Sequence, residues 1–335
     1  MFKVIHSILL CSVLIYALSP KVAHTEPIII RFSHVVAETT PKGKAALEFK
    51  KLVEEKTNGK VKVHVYPNAT LYKDKEELEA LQLGAVQMIA PSLSKLGQLG
   101  LTDFELFDIP YIFPNQNVLR SVTEGPIGQQ LLSQLNDKGI YGLGYWHNGF
   151  KVFTANSAIQ QPLDMSGLRL RIQPSRTLET QIVELGAIPI QMPFSDLLTA
   201  LKTGLIDGTE NTTSNLYSQH MHQLQTHLVT TYHGYLGYAV IVNREFWLSL
   251  PKQLQITLMW CFQQATLTNN LAAEQINKYA LEQIRQNTNL HIHDLTPKQR
   301  EQWVQALAGV ADKMSHQIDP ELIKQVRQLA KQNSK

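Results

Sequence analysis

Four polar side chains fall at or just beyond the ends of short apolar segments. His34 follows residues 28–32, Asn148 follows residues 140–146, Arg171 closes residues 168–172, and Asn211 follows Asp207-Gly208-Thr209-Glu210. In open α/β sheets ligands bind beyond the carboxyl ends of the strands. Arginine offers a planar fork of donors that matches a carboxylate. The chemistry such an arginine could do is to pair with a carboxylate. Taken alone, Arg171 reads first as a surface or interlobe salt bridge, with the ligand clamp as the alternative. Trp146, Phe194 and Tyr235 read first as core, with ligand walls as the alternative. Signatures of catalysis are missing: there is no GxSxG elbow, no HExxH and no phosphate-binding loop. Gly142-Leu143-Gly144 starts like a dinucleotide fingerprint but lacks the third glycine and a following helix. His220-Met221-His222 and His291-Ile292-His293 lack the partners of a metal site and read as surface polar residues. No cofactor and no metal are expected. Cys261 lies among Leu258, Met259, Trp260 and Phe262, as a buried core cysteine would.

The elements that must position these residues repeat. Ala80-Leu81-Gln82-Leu83-Gly84 and Ala200-Leu201-Lys202-Thr203-Gly204 each read as the end of a helix stopped by glycine, and each leads into a short apolar strand. Each also follows a strand ending in proline, at Pro67 and at Pro193. A β–α–β unit that recurs points to two α/β lobes with a cleft between them. Residues 28–32 predict a central strand, Thr40 and Pro41 a helix start, and Val61, Val63 and Val65 a second, alternating strand. Further helices are expected over residues 74–83, 118–138 and 177–185, with Ser195 capping another over 196–202. Residues 104–114 read as a packed aromatic loop. Strands are expected at 140–146 and 151–154, flanking Asn148-Gly149, and residues 229–242 read as extended. Pro251 opens a helical stretch to about residue 286 without internal proline or glycine, which at 1.5 Å per residue is roughly 50 Å long. It must lie across both lobes or kink between them. Helices over 297–316 and 320–331 close the chain.

The chain has 335 residues, 44% hydrophobic and 18% charged, with a formal net charge of +3. That supports two ordinary cores and argues against a nucleic-acid partner. Lys3, an apolar run over residues 8–18 and small residues up to Ala23 read as a secretory signal peptide spanning residues 1–25. The alternative is an uncleaved anchor. Cleavage would remove Cys11 and leave Cys261 alone, so no internal disulfide is possible.

Taken together, the motifs resemble a known family. They run Phe32-Ser33-His34-Val35-Val36-Ala37, Thr40-Pro41-Lys42-Gly43-Lys44, Val65-Tyr66-Pro67-Asn68, Leu71 to Leu78, Gln87-Met88 through Ser92, Tyr145 through Lys151, Gly167 through Ile172, Pro193-Phe194-Ser195, Asp207 through Asn211 and Asn243 through Trp247. In this order they resemble the solute-binding proteins of TRAP transporters, and most closely the group that binds C4-dicarboxylates such as malate, succinate and fumarate. The resemblance implies an α/β, two-lobed periplasmic binding protein fold, each lobe a mixed sheet flanked by helices, with crossing strands and a long helix spanning both lobes. It implies lobe I as residues 26–148 plus 237–276, and lobe II as 149–236 plus 277–335. It implies a monomeric periplasmic receptor that closes on a small carboxylate and hands it to TRAP permease membrane subunits. Carried over by motif, Arg171 pairs with the ligand carboxylate, Asn211 supports it, Phe194 walls the site and Lys151 is a second basic contact. Ser92, Asp74 and His34 come from the other lobe, Trp146 and Asn148 lie near the hinge, and Tyr235 is kept as a contact. Two departures stand out: His147 occupies a position where close relatives often carry an acid, and Thr212 one where proline is usual. The competing readings are an exported enzyme acting on organic acids and a ligand-sensing partner of a membrane signalling protein.

Overall fold

The computed structural model describes residues 26–286 and 289–333; the expected signal peptide lies outside the described residues. The chain opens with β1 (Ile28–Ser33), α1 (Pro41–Lys56), β2 (Val61–Tyr66), α2 (Asp74–Gln82) and β3 (Met88–Ile89). After two 3-10 turns come α3 (Gln116–Thr123), α4 (Pro126–Gln134) and β4 (Ile140–Phe150). Then follow β5 (Val152–Ala155), β6 (Arg169–Ile172), α5 (Arg176–Glu184), β7 (Ile188–Gln191), α6 (Leu197–Lys202), β8 (Gly208–Asn211), α7 (Thr213–Ser218) and β9 (His227–Val229). The chain ends with β10 (Tyr235–Asn243), α8 (Arg244–Ser249), α9 (Lys252–Arg285), β11 (His291–His293), α10 (Pro297–Leu307), α11 (Val310–Lys313) and α12 (Pro320–Gln332).

Two mixed sheets result. The first runs β2-β1-β3-β10-β4 and the second β11-β9-β5-β8-β6-β7. In each, parallel strands built by β–α–β crossovers meet antiparallel partners: β1 is parallel to β2 and β3, and β6 to β7 and β8, while β10 runs against β3 and β4, and β5 against β8 and β9. The chain passes from the first sheet to the second at Lys151, whose N–H donates to Gly234 O at 2.8 Å. It returns between β9 and β10. The two crossings run side by side.

Local chemistry explains the starts and stops. Thr40 accepts from the Gly43 N–H at 3.2 Å, and Pro41 takes the first helical position of α1, where a missing N–H costs nothing. The repeated glycines carry left-handed backbone, with φ of +74° at Gly84 and +67° at Gly204. α9 runs 34 residues and packs against α1 and β4 of the first sheet and against α7 of the second half.

Several expectations are corrected. No turn interrupts β4 at Asn148-Gly149. Gly149 is there because α9 passes so close that a Cβ would stand 2.9 Å from Asn277 Nδ2. The helix expected over 118–138 breaks at Gly125-Pro126, because proline cannot donate within a helix and instead opens α4. Residues 104–114 include a 3-10 helix (Thr102–Asp108), and Phe104, Phe107 and Phe113 are buried. Ser195 lies inside a 3-10 turn and does not cap α6; its hydroxyl donates to Asp196 Oδ1 at 3.1 Å. The 229–242 stretch breaks between β9 and β10, and the 297–316 helix breaks near Gly309. Cys261 is fully buried in the core, which raises its thiol to about 11. Among the described residues no helix is long and apolar enough to cross a membrane, and no three potential metal ligands cluster.

Candidate functional site

The carboxyl ends of β1, β3, β6 and β8 converge on one cavity with about 290 Å³ of space between its walls, part of it open to solvent. From the first half come Val35, Val36, Lys42, Ser92 and Lys95; from the second, Arg171, Gln173, Phe194, Asn211 and Asn215; from β10, Leu236 and Tyr238. The two repeated helix–glycine–strand units thus deliver Ser92 and Asn211 to the same space. Direct contacts shut the cleft. Ser92 Oγ donates to Gln173 Oε1, and the Phe194 N–H donates to Asp74 Oδ2 at 2.6 Å.

Arg171 is the centre of one wall. Its guanidinium is buried, and its Nε and one terminal nitrogen hold Met192 O at 3.1 and 3.0 Å. The Phe194 ring centre lies 5.9 Å from its central carbon. No carboxylate forms an ion pair with it among the described residues; Asp74 and Glu210 act on it only from a distance. A buried arginine without an anion is an unfinished pair. Asn211 is arranged alongside it. Its Oδ1 already accepts from Thr212 N–H and Asn215 Nδ2, both at 2.9 Å, so its own amide N–H groups remain for a ligand.

The opposite wall is also cationic. Lys42, in the first turn of α1, is fully buried; its Nζ donates to Ala90 O at 2.8 Å and stands 3.8 Å above the Tyr238 ring. Burial, with Lys95 nearby, lowers it to about 7. Lys95 pairs with Asp74 Oδ1. Burial opposes ionisation of Asp74, but Lys95 wins and holds it below its ordinary value. Behind them Glu77 is buried with both carboxylate oxygens unpartnered, and burial raises it to about 7. No acid lines the cavity itself; its three charged lining residues are Lys42, Lys95 and Arg171.

These residues lie within a stretch that matches a family model. Residues 32–317 match the model of the bacterial extracellular solute-binding proteins, family 7 (DctP). The chain belongs to this family. Among its relatives, the C4-dicarboxylate-binding periplasmic protein DctP of Rhodobacter capsulatus is 50% identical over 305 residues, covering 91% of this chain and 92% of that one. The C4-dicarboxylate-binding protein DctB of Bacillus subtilis (strain 168) is 42% identical, covering 91% and 87%. A TRAP periplasmic solute-binding protein of Shewanella oneidensis, solved with bound succinate, superposes with a TM-score of 0.89 at 39% identity, covering 91% and 99%. One from Pseudomonas aeruginosa PAO1, solved with bound L-malate, gives 0.84 at 39% identity, covering 86% and 100%. The two-lobed α/β fold expected from the sequence is the fold of this family.

Of the expected site residues of this family 7 protein, Arg171, Asn211, Phe194 and Ser92 line the cavity. Asp74 stands one layer behind, fixing Lys95 and the Phe194 backbone. His34 is buried beside the cavity with both ring nitrogens unpartnered, and burial, then Lys42, lowers it to about 3. Asn148 supports a cavity wall from behind: its Nδ2 donates to Tyr238 OH at 2.7 Å, and its Oδ1 accepts from Ser214 Oγ at 2.9 Å. Three expected contacts lie elsewhere. Lys151 is committed to Glu210 Oε1 at 2.5 Å in a buried pair that His233 and Gln181 complete through Oε2. Trp146 belongs to the core, stacked on Phe262 and donating to Thr266 Oγ1 at 2.9 Å. Tyr235 faces away from the cavity, in an aromatic cluster with Phe107 and Phe113.

Lys42, Lys95, Gln173, Asn215 and Tyr238 were missed. Some left a trace. Asn215 is four residues after Asn211, and Tyr238 shares a strand face with Leu236. Gln173 directly follows the strand of Arg171. Lys95 left none, because its 3-10 turn has no readable period.

Proposed function

We propose that the protein is an extracytoplasmic solute receptor of a TRAP transporter that binds a C4-dicarboxylate and delivers it to the membrane permease without altering it. One observation carries this reading: the cleft cavity has a cationic pole on each wall, Arg171 on one side and Lys42 with Lys95 on the other, and no acid between them. A short dianion with a carboxylate at each end complements that arrangement. The relatives and solved structures named for C4-dicarboxylates, succinate and malate support the same ligand class. In this reading Arg171 takes one carboxylate with Asn211 beside it, Phe194 packs over the ligand, and Lys42 takes the other carboxylate.

The lobes in this reading are residues 26–148 plus 237–276 and residues 149–236 plus 277–335. They close on the ligand as rigid bodies about the crossing at Lys151. Residues 1–25 direct export to the periplasm and are removed there, and the receptor works as a monomer. Isothermal titration calorimetry with succinate, malate and fumarate tests the ligand. Arg171→Ala is expected to cost roughly 2–5 kcal/mol, one to nearly four decades in Kd. Unchanged affinity would refute the clamp. Recovery of chemically altered acid after incubation, read by NMR, would refute a receptor and favour an enzyme.

A further inference from the structure

A second and larger cavity lies on the hinge side of the molecule. It holds about 1290 Å³ of empty space, part of it open to solvent, and no residue lines both it and the cleft. Its walls come from α3, the end of β4, the start of β10, α9 and α10, and so from both sides of the crossing.

The lining is divided by exposure. Its buried part includes His147, Tyr235, Asn148 and Ala273; its exposed part carries Arg120, Lys278 and Arg300 against one acid, Glu274. Lys278 has no ion-pair partner among the described residues. Arg120 has only its own helix neighbour Glu124, at 3.4 Å, and Arg300 only the face of Tyr111. The rim is therefore net cationic and the interior aromatic. One polar atom of the lining residues is unanswered. His147 Nδ1 is engaged with Tyr235 OH at 2.5 Å, but Nε2 is buried without a partner. A buried imidazole nitrogen left unpaired costs stability unless something answers it. Burial, and then Arg120, holds the ring at about 4, so it is neutral at neutral pH. A neutral ring is suited to exchange a hydrogen bond with a hydroxyl rather than to pair with a charge.

We propose that this cavity is a second small-molecule site, separate from the cleft, for an aromatic carboxylate that carries a distal hydroxyl. The carboxylate sits at the cationic rim, the ring packs among the aromatic side chains, and the hydroxyl meets His147 Nε2.

The probe is 4-hydroxyphenylacetate, titrated calorimetrically into the protein with and without saturating succinate. The expected result is binding of one equivalent in both cases, with phenylacetate weaker by about fivefold for the lost hydrogen bond. His147→Phe is expected to erase that difference between the two acids. Arg120→Glu with Lys278→Glu, both at the exposed rim, is expected to weaken the probe at least tenfold. Absence of binding to the wild type overturns the proposal. So does displacement of the probe by succinate, which would put it in the cleft. Binding untouched by the rim variants also overturns it. Because the probe is also read without succinate, failure of the dicarboxylate reading leaves this result intact and distinguishable.

Discussion

At the residue scale the cleft is defined by charges that lack partners. Arg171 was legible through the family motif, since taken alone it reads first as a salt bridge, and Asn211 because it ends the matching strand of the repeat. Lys42 was not legible as a contact. It lies in the first turn of a helix, where lysine is usually solvated, and only the packing of α1 against Ala90 and Tyr238 buries it. Lys151 was expected as a second basic contact from its motif alone, yet Glu210 already neutralises it; burial opposes that carboxylate, but Lys151 and His233 hold it well below its ordinary value. The state of Lys42 gives a prediction. It stands at about 7 in the empty cleft, and Glu77, which faces it, is also raised to about 7 by burial. A bound dianion favours the protonated form of both. At pH 7.5 each is partly deprotonated, so binding of succinate takes up protons, by no more than that deprotonated fraction, about three quarters of a proton per group. The sign is opposite to the release expected if the ligand had to lose a proton to bind. Calorimetry in buffers of different ionisation enthalpy measures this directly. Uptake should shrink in Lys42→Met and fade below about pH 6, where both groups are already protonated. No buffer dependence at pH 7.5 would remove Lys42 and Glu77 from the ligand's field.

At the element scale, the repeated helix–glycine–strand unit was the most informative feature of the chain. Periodicity and punctuation suffice to read such units, because a left-handed residue after a helix is a local demand. What could not be read was anything set by a distant neighbour. Asn148-Gly149 has the composition of a turn, yet it lies inside a strand because α9, more than a hundred residues later, packs on it. There Asn277 Nδ2 donates to Asn148 O at 2.7 Å, and Asn269 Nδ2 donates to His147 O at 2.9 Å. The two kinds of glycine should therefore respond differently to alanine. At Gly204 nothing lies within 4 Å of a new Cβ, so Gly204→Ala meets only the backbone penalty at φ +67°. The expected cost is about 1 kcal/mol with ligand affinity unchanged. At Gly149 the new Cβ would stand 2.9 Å from Asn277 Nδ2 and push α9 off the crossing strand. Gly149→Ala should lose stability by about 2 kcal/mol or more, from the displaced amide bond and the disturbed packing, and should weaken the ligand as well. Urea unfolding and calorimetry on the same two variants separate these cases. Equal behaviour at both positions would mean that α9 does not hold the crossing in place.

At the scale of the whole molecule, function depends on the balance of bonds that hold the cleft shut. The hinge is well fastened: β4 and β10 pair along their length, and α9 satisfies backbone groups of the crossing. The cross-cleft bonds include Ser92 to Gln173, the Phe194 N–H to Asp74, the buried Glu105 Oε2 accepting from Ser175 Oγ and from the N–H and Oγ1 of Thr177, Gln219 Nε2 donating to Asn68 Oδ1 at 3.3 Å, and the exposed pair of Lys73 and Asp196 at 3.1 Å, which is worth little in water. The ligand can bias closure by its own contacts with both walls, which is the condition for a population shift. Too many fixed bonds would close the receptor without cargo; too few would let the cargo go. Gln173 tests this balance because it reaches across the cleft to Ser92 while lying outside both cationic poles. Gln173→Ala removes one cross-cleft bond of about 1 kcal/mol and leaves each half's own packing intact. Gln173 is buried and bonded to Ser92, so the global unfolding free energy should fall by no more than about that 1 kcal/mol. Affinity for succinate should fall about fivefold, and the loss should appear in the dissociation rate, since the encounter with the open cleft is unaltered. Stopped-flow measurement of tryptophan fluorescence resolves the two rates. An affinity loss carried by the association rate would mean that Gln173 guides ligand entry; a loss carried by dissociation would mean that it holds the closed state, as its place opposite Ser92 requires.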